Sequence, residues 1–381
     1  MSAHAFLPPS GAGAWRYCAA WPMMNAMFPQ DDTDDTREGT AAHWCWDPNL
    51  AHGLPLPAVG AFAPNGVAVT DEMLDGAEMY IAVIERDLRD TGTPREALVV
   101  EQRIAMPGIH AQNWGTPDSW FFDPRTYRLY QYDYKFGHGF VDAYEHWQSI
   151  NYTSGIVEVL AARMGIMPAE LDQRLNVRIT VVQPRNYDSD GPVRTWDVRA
   201  SDLRAYWNQL ASAAEAAMVY PPVATPGRHC KHCPGRHACQ PLQRQGYDVV
   251  QFARQVVPAP LPAAAVAAEL RLLQDHAELL RARISGLEAD ADTRLRRGEA
   301  VPGFGLENTK GREAWNVPRE QVVALGSVFG VQVEKPGLIT PGQARTAGMP
   351  ADVVAQLSAT PARGVKLVRT DQTRLTKIFG K

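Results

Sequence analysis

GTPDSWFFDPRTYRLYQYDYKFGHG, residues 115–139, is the most informative part of the chain. WGTPDSWFFD (114–123) and RLYQYDYKFG (128–137) are short, rich in Tyr, Phe and Trp, and bounded by Gly and Pro, the pattern of β-strands. With ALVVEQRIAM (97–106) ahead of them they make three consecutive strands with tight connections, an antiparallel meander. Residues two apart in a strand face the same side, so Asp133 and Lys135 project together. A neighbouring antiparallel strand can bring Asp118 beside them. Two converging carboxylates form a hard oxygen site suited to Mg²⁺ or Mn²⁺, and an adjacent ammonium can orient or help deprotonate a bound water. Hydrolysis of a phosphodiester needs this set. Taken alone, a D-x-K pair on a strand also describes a solvated sheet face, so the flanking residues matter.

Outward from the meander, Met73, Leu74, Ala77, Tyr80, Ile81, Ile84 and Leu88 recur at helical spacing and predict an amphipathic helix over Asp71–Arg89. Residues 1–60, rich in Pro, Gly, Trp and Ala, read as short helices and loops, with the acidic DDTDDTRE (31–38) as a solvated helix start. After the meander come a helix over about 142–164, a strand VRITVVQP (177–184) and a helix from Ser201 to about Met218. This order is that of an α/β core with helices packed on a mixed sheet. Pro221, Pro222, Pro226 and Gly227 end the last helix and open a loop. VPAPLPA (257–263) reads as a linker, which divides the chain into 1–256 and 257–381. A long helix (263–297) then leads into a small α+β region.

Composition limits what the chain can be. Its 381 residues are 45% hydrophobic and 21% charged, with room for two or three cores, and a formal net charge of -4 supplies no global positive field. Any DNA contact must come from a local patch. Residues 1–15 have no basic leader character and no segment approaches the ~20 apolar residues that span a bilayer. Five cysteines in a chain this long do not make a disulfide framework, and a reducing cytoplasm is expected.

His43, in REGTAAHW, precedes the strands by a helix, and Gln148 and Tyr152 share one face of the following helix at i and i+4. The succession GTAAH (39–43), GTPD (115–118), DYK (133–135) and QSINY (148–152) resembles the RecB-type branch of the PD-(D/E)XK nuclease superfamily. The resemblance implies that His43, Asp118 and Asp133 are side-chain metal ligands and that Tyr134 adds its backbone carbonyl. It implies Lys135 as the catalytic lysine, with Gln148 and Tyr152 supporting the phosphate site. Glu101, on the preceding strand, reads equally as an outer carboxylate and as a surface residue.

The cysteines cluster unevenly: Cys230, Cys233 and Cys239 fall in HCKHCPGRHACQ, whereas Cys18 and Cys45 lie far upstream. C-x₂-C-x₅-C is one ligand short of a closed site. His229, His232 or His237 could complete a Zn²⁺ site locally, and Cys18 could complete an iron–sulfur site. One early Cys with this later triple resembles the iron–sulfur staple of the AddAB helicase–nuclease and of CRISPR-adaptation nucleases. That resemblance implies a [4Fe–4S] cluster on Cys18, Cys230, Cys233 and Cys239, with Cys45 a packed spare. The same loop carries Arg228, Lys231, Arg236 and Arg244, a local basic patch placed to meet a DNA backbone.

The last third, with AVPGFGLENTKGREAW (300–315) and GLITPGQARTAG (337–348), is similar to an uncharacterised family of bacteriophage-encoded RecB-like proteins. Arg296, Arg297, Lys310 and Arg312 there are candidates for a DNA channel or an ordinary solvated surface. Together the resemblances imply a Mg²⁺- or Mn²⁺-dependent deoxyribonuclease, an exonuclease acting on single-stranded DNA or duplex ends in phage replication or recombination. A recombination or replication protein is the implied partner, and no membrane is. The rival readings are a catalytically silent module of nuclease fold that binds DNA ends or a replication partner, and a zinc-stabilised structural module.

Overall fold

The computed structural model describes residues 5–29, 32–186, 190–252, 263–310, 314–335, 337–338, 340–359 and 362–369. The chain divides into two compact units, Met1–Arg283 and Ile284–Lys381. The expected linker at 257–263, and with it the expected boundary after 256, lies outside the described residues except for Ala263, which starts a helix.

In the first unit α1 (Ala12–Trp15), α2 (Trp21–Met27), α3 (Asp34–His52) and α4 (Asp71–Thr91) precede the sheet. The acidic run starts α3 as expected: the Thr36 N–H donates to Thr33 Oγ1 at 3.1 Å, and Asp34 and Asp35 occupy the first turn, where the helix dipole favours negative charge. The Thr70 hydroxyl caps α4 in the same way through the Met73 N–H, and the helix buries Met73, Ala77, Tyr80, Ile84 and Leu88.

Of the three expected strands, two are each broken. ALVVEQRIAM yields β1 (Val99–Val100) and β2 (Ile104–Ala105), and WGTPDSWFFD yields β3 (Trp114–Gly115) and β4 (Ser119–Asp123). Glu101, left-handed at φ 45°, turns the chain out of β1. Pro117, without an N–H to give to a ladder, separates β3 from β4. β5 (Arg128–Tyr134), α5 (Trp147–Met164), α6 (Pro168–Asp172), β6 (Asn176–Val182), β7 (Val193–Arg199) and α7 (Ala200–Met218) follow. The helix expected from 142 begins at Trp147, and residues 137–146 are loop.

The main sheet has the order β1-β4-β5-β6-β7, with β5 and β6 parallel and the other pairs antiparallel. β7 was not foreseen. Its sequence VRTWDVR alternates apolar and polar residues, as suits an edge strand with one wet face, and its Asp197 pairs with Arg178 of β6 at 2.9 and 3.0 Å.

Strand alternation separates two cores. Trp120, Leu129, Val177 and Ile179 face α5, α7 and the N-terminal helices, whereas Phe121, Tyr130, Tyr132 and Tyr134 face α3 and α4. Asp133 therefore lies on the α5 side. The register of α5 on β5 is set by buried Gln131, which donates to the Ser149 carbonyl at 3.1 Å and accepts from Thr153 Oγ1 at 2.7 Å. Where α5 meets β2 the backbones approach closely: a Cβ on Gly155 would stand 2.5 Å from the Ala105 carbonyl oxygen.

The cysteine loop runs on into α8 (Gln240–Phe252) and α9 (Ala263–Arg296), within which the division between units falls. Leu242 of α8 and Leu279 and Ala282 of α9 pack with Cys230 and Cys239. The second unit holds the small α+β structure expected for it: β8 (Phe304–Lys310), β9 (Ala314–Trp315), α10 (Arg319–Val328), β10 (Glu334–Lys335), β11 (Gly337–Leu338), α11 (Pro341–Thr346), α12 (Ala351–Leu357), β12 (Ser358–Ala359) and β13 (Ala362–Arg369). Its core gathers Val322, Val331, Val333, Ala344, Met349, Val354 and Leu357. Arg312 lies outside the described residues, and Arg296 is ion-paired to Asp292 at 2.6 Å.

Candidate functional site

Helix α3, the end of β1 and the start of β4 converge on one group. His43 Nδ1 lies 3.7 Å from Glu101 Oε1 and 3.9 Å from Asp118 Oδ1. One donor atom from each of these three residues falls within 4.8 Å of the other two. The left-handed turn at Glu101 is held by its own N–H, which donates to the Asp118 carbonyl at 2.9 Å. Strain at a non-glycine residue beside converging ligands is a mark of functional sites. Glu101 thus stands in the site directly, a place its sequence context left open. The β1–β4 register, which sets Val100 against Ser119, brings Glu101 opposite Asp118, and no local sequence signal announces that register.

Asp118 is nearly buried and its Oδ2 accepts the Tyr134 N–H at 2.6 Å. Tyr134 therefore offers the site its main chain, while its ring is buried in the opposite core between His43, Trp46 and Tyr80. Burial, opposed by His43 and reinforced by Asp133, pushes the Asp118 carboxyl up to about 7. For His43, burial works against the imidazolium, but the carboxylates of Asp118 and Glu101 outweigh it and raise its pKa. An unusually basic carboxyl beside a histidine and a second carboxylate is a donor set suited to a divalent cation.

Lys135 stands next to this group. Its Nζ lies 3.1 and 2.9 Å from the two oxygens of Asp133 and donates to Gln148 Oε1 at 3.0 Å. Burial disfavours the ammonium, yet Asp133 and Asp118 prevail and raise its pKa, so it is a cation at neutral pH. Gln148 thus orients the lysine from the first turn of α5. One turn later, the Tyr152 hydroxyl takes the Thr116 N–H, and burial together with Asp118 and Asp133 raises its pKa. Gly115 makes room for that ring: a Cβ there would meet it at 2.9 Å. His146, which the sequence did not single out, sits just before α5 with Nδ1 2.8 Å from Ser149 Oγ. Burial lowers its pKa, and it feels the charges of Asp133 and Lys135. Its place two residues ahead of QSINY was the available signal.

The cysteines form a second centre. Cys18, Cys230, Cys233 and Cys239 are buried and line one small cavity with Trp21, Met24 and Leu242. Each sulfur is met by a backbone N–H: Thr225 to Cys18 at 3.4 Å, Gly227 to Cys230 at 3.4 Å, Gly235 to Cys233 and Leu242 to Cys239. Burial raises the Cys230, Cys233 and Cys239 thiols, Cys233 to about 12. Thiolates here call for a bound cation, and the four amides suit sulfurs carrying negative charge. His229 and His237 direct a ring nitrogen to the carbonyls of Thr225 (2.9 Å) and Pro234 (3.2 Å). Cys45, the expected spare, is buried in the α3–α4 core with its thiol on the Ala41 carbonyl.

The basic patch of this loop is partly engaged within the protein. Arg228 pairs with Asp275 (3.3 Å) and Glu278 (3.2 Å) of α9, and the Arg236 guanidinium donates to the Cys233 carbonyl. Among the described residues no helix is long and apolar enough to cross a membrane.

Residues 4–335 match the model of a family described as protein of unknown function, DUF2800. Among solved structures, the chain is similar to a protein from Eubacterium rectale provisionally named an exonuclease, with 11% identity and a TM-score of 0.37, covering 69% of this chain and 92% of that one.

Proposed function

This chain belongs to the DUF2800 family, whose function is unknown, and from its two centres we propose that it is a divalent-metal-dependent deoxyribonuclease of the RecB-type PD-(D/E)XK kind. The observation that carries the reading is the convergence of His43, Glu101 and Asp118 beside the Asp133–Lys135–Gln148 chain at one end of the sheet. His43, Glu101 and Asp118, with Asp133 and the Tyr134 carbonyl as further donors, would hold Mg²⁺ or Mn²⁺. The cation would supply Lewis acidity to the scissile phosphate and lower the pKa of an attacking water. The protein's own part is positional and electrostatic. Lys135, kept charged by Asp133 and aimed by Gln148, places an ammonium where negative charge develops on phosphate oxygens. Tyr152, fixed by the Thr116 amide, presents a hydroxyl to the same space. The substrate is DNA, as single strands or duplex ends, cut exonucleolytically. A phage recombination or replication protein is the proposed partner and the cytoplasm the proposed compartment.

For the second centre we infer a [4Fe–4S] cluster on Cys18, Cys230, Cys233 and Cys239. Four buried sulfurs around one cavity, each with an amide directed at it, fit four thiolate ligands; His229 lines the same cavity with its Nε2 on the Thr225 carbonyl. Zn²⁺ is the alternative occupant.

End-labelled single- and double-stranded DNA incubated with the protein and Mg²⁺ or Mn²⁺ tests the activity. Asp118→Ala, Asp133→Ala and Lys135→Ala should each nearly abolish cleavage in folded protein, and the Asp133/Lys135 double variant should resemble the singles because the groups act as a unit. Full activity in Lys135→Ala would sink the assignment.

A further inference from the structure

The loop between β5 and α5 has a structure its sequence does not announce. It begins at Lys135 and ends just before Gln148, so both of its ends stand at the candidate phosphate site. It is pinned from beneath. Gln183, fully buried, donates to the carbonyls of Gly137 (2.7 Å) and Gly139 (2.6 Å) and accepts the Val141 N–H at 3.2 Å. Arg194 braces that same glutamine at 2.6 Å and donates to the Val141 carbonyl at 2.8 Å. At the far end Glu145 is left-handed, φ 51°, with its carboxylate taking the Tyr206 hydroxyl at 2.7 Å.

This anchored loop holds large aromatic rings out in water. Phe140 is 48% exposed and Tyr144 58% exposed. The guanidinium of buried Arg194 lies 4.7 Å from the centroid of the half-exposed Phe140 ring and itself donates to Val141, Gly191 and Gln183. From Tyr144 a series of rings leads back toward the site: Trp196 at 5.2 Å, Tyr206, and Trp147, over which Arg16 sits at 3.7 Å. The loop also carries two carboxylates: exposed Asp142, which accepts the Tyr144 N–H at 3.0 Å, and Glu145, which takes the Tyr206 hydroxyl.

Two exposed rings on a loop that starts at the Lys135 ammonium match what unpaired bases and their phosphates require. Inside a duplex the base faces are covered by neighbouring pairs, so stacking of this kind is open only to single strands or frayed ends. An apolar peptide would gain little from the adjacent ammonium. We propose that loop 136–146 is a base-stacking platform for single-stranded DNA, with Phe140 and Tyr144 each receiving an unpaired base next to the phosphate held at Lys135 and Gln148. The platform deepens the nuclease reading by naming the strand form that enters the site.

The test is binding of fluorescent (dT)₁₂ to full-length protein in EDTA, so that it remains readable whether or not the protein cuts DNA. Stacking is worth roughly 1–3 kcal/mol per base, so Phe140→Ala and Tyr144→Ala should each weaken binding by about 5- to 150-fold. Phe140→Trp should retain it. A 12-mer of abasic residues, with the same phosphates and no bases, should bind weakly and equally to all variants, and the salt dependence of (dT)₁₂ binding should not change. Unaltered (dT)₁₂ affinity in both alanine variants, or equal losses on the abasic strand, would overturn the platform and leave the nuclease reading standing. Ring-dependent binding by a protein that cleaves nothing with Mg²⁺ or Mn²⁺ would keep the platform and overturn the nuclease.

Discussion

Replacing Cys18 with Ser should affect the fold far beyond its own neighbourhood. Cys18 and Cys230 are separated by more than 200 residues, and the segment between them contains the entire five-stranded sheet. A cluster that ties both ends restricts the unfolded chain as a cross-link does. For a loop of this length, the loop-closure relation puts the restriction at about 5 kcal/mol. The whole stability of a domain is of order 5–15 kcal/mol, so a third or more of it would rest on this connection. Local losses at Cys18 are small by comparison: one N–H···S contact from Thr225 and a few packing contacts in a cavity that already exists. The assay is anaerobic denaturant unfolding followed by circular dichroism, with iron and acid-labile sulfide measured on the same samples. Wild-type protein should be brown, with iron and sulfide in equal amounts. Cys18→Ser should lose the colour and unfold at much lower denaturant, whereas Cys45→Ser should keep the colour. A colourless wild-type protein with one zinc, unaffected by Cys18→Ser and damaged by His237→Ala, would refute the staple and leave the carboxylate site untouched.

Glu101→Ala should lower metal-supported cleavage at least 10-fold and raise the Mg²⁺ or Mn²⁺ concentration needed for half-maximal activity, because it removes one of three converging donors. A metal titration identical to wild type would return Glu101 to the surface. Gly155→Ala should cost roughly 1–3 kcal/mol by driving a methyl group against the Ala105 carbonyl and Met106, read as a lower thermal midpoint; an unchanged midpoint would mean that α5 can lift off β2 freely. Asp123 is buried, which by itself would raise its pKa, but the Thr126 hydroxyl and the Arg125 amide and guanidinium bring the net shift below the usual carboxylate value. The stability it supplies is therefore present above the unfolded pKa of about 4 and is lost as pH falls through the lower folded value. Asp123→Asn should be destabilised by roughly 1 kcal/mol at pH 7 with the gap closing below pH 4, and a gap independent of pH would show that charge is not involved.

Much of this protein could be read from local pattern. Helical periodicity placed α4 within a few residues, since burial of one helix face is a property of spacing. Alternating Tyr and Phe around Asp133 and Lys135 put both side chains on one sheet face, because the period of a strand is two. The close spacing of Cys230, Cys233 and Cys239 marked a shared loop for the same local reason. What the sequence could not settle depends on contacts between distant segments. Glu101 faces Asp118 because the β1–β4 register sets it opposite, and its letters match those of any surface glutamate. Gln148 meets the Lys135 ammonium because Gln131 sets the register of α5 on β5. Cys18 reaches the later cysteines only once α1 and α2 have packed beside their loop. The ring-bearing loop after Lys135 likewise owes its shape to Gln183 and Arg194, more than 40 residues further along. Periodicity records which face of an element is buried, whereas the partner that buries it is chosen by packing, and only the folded chain shows that choice.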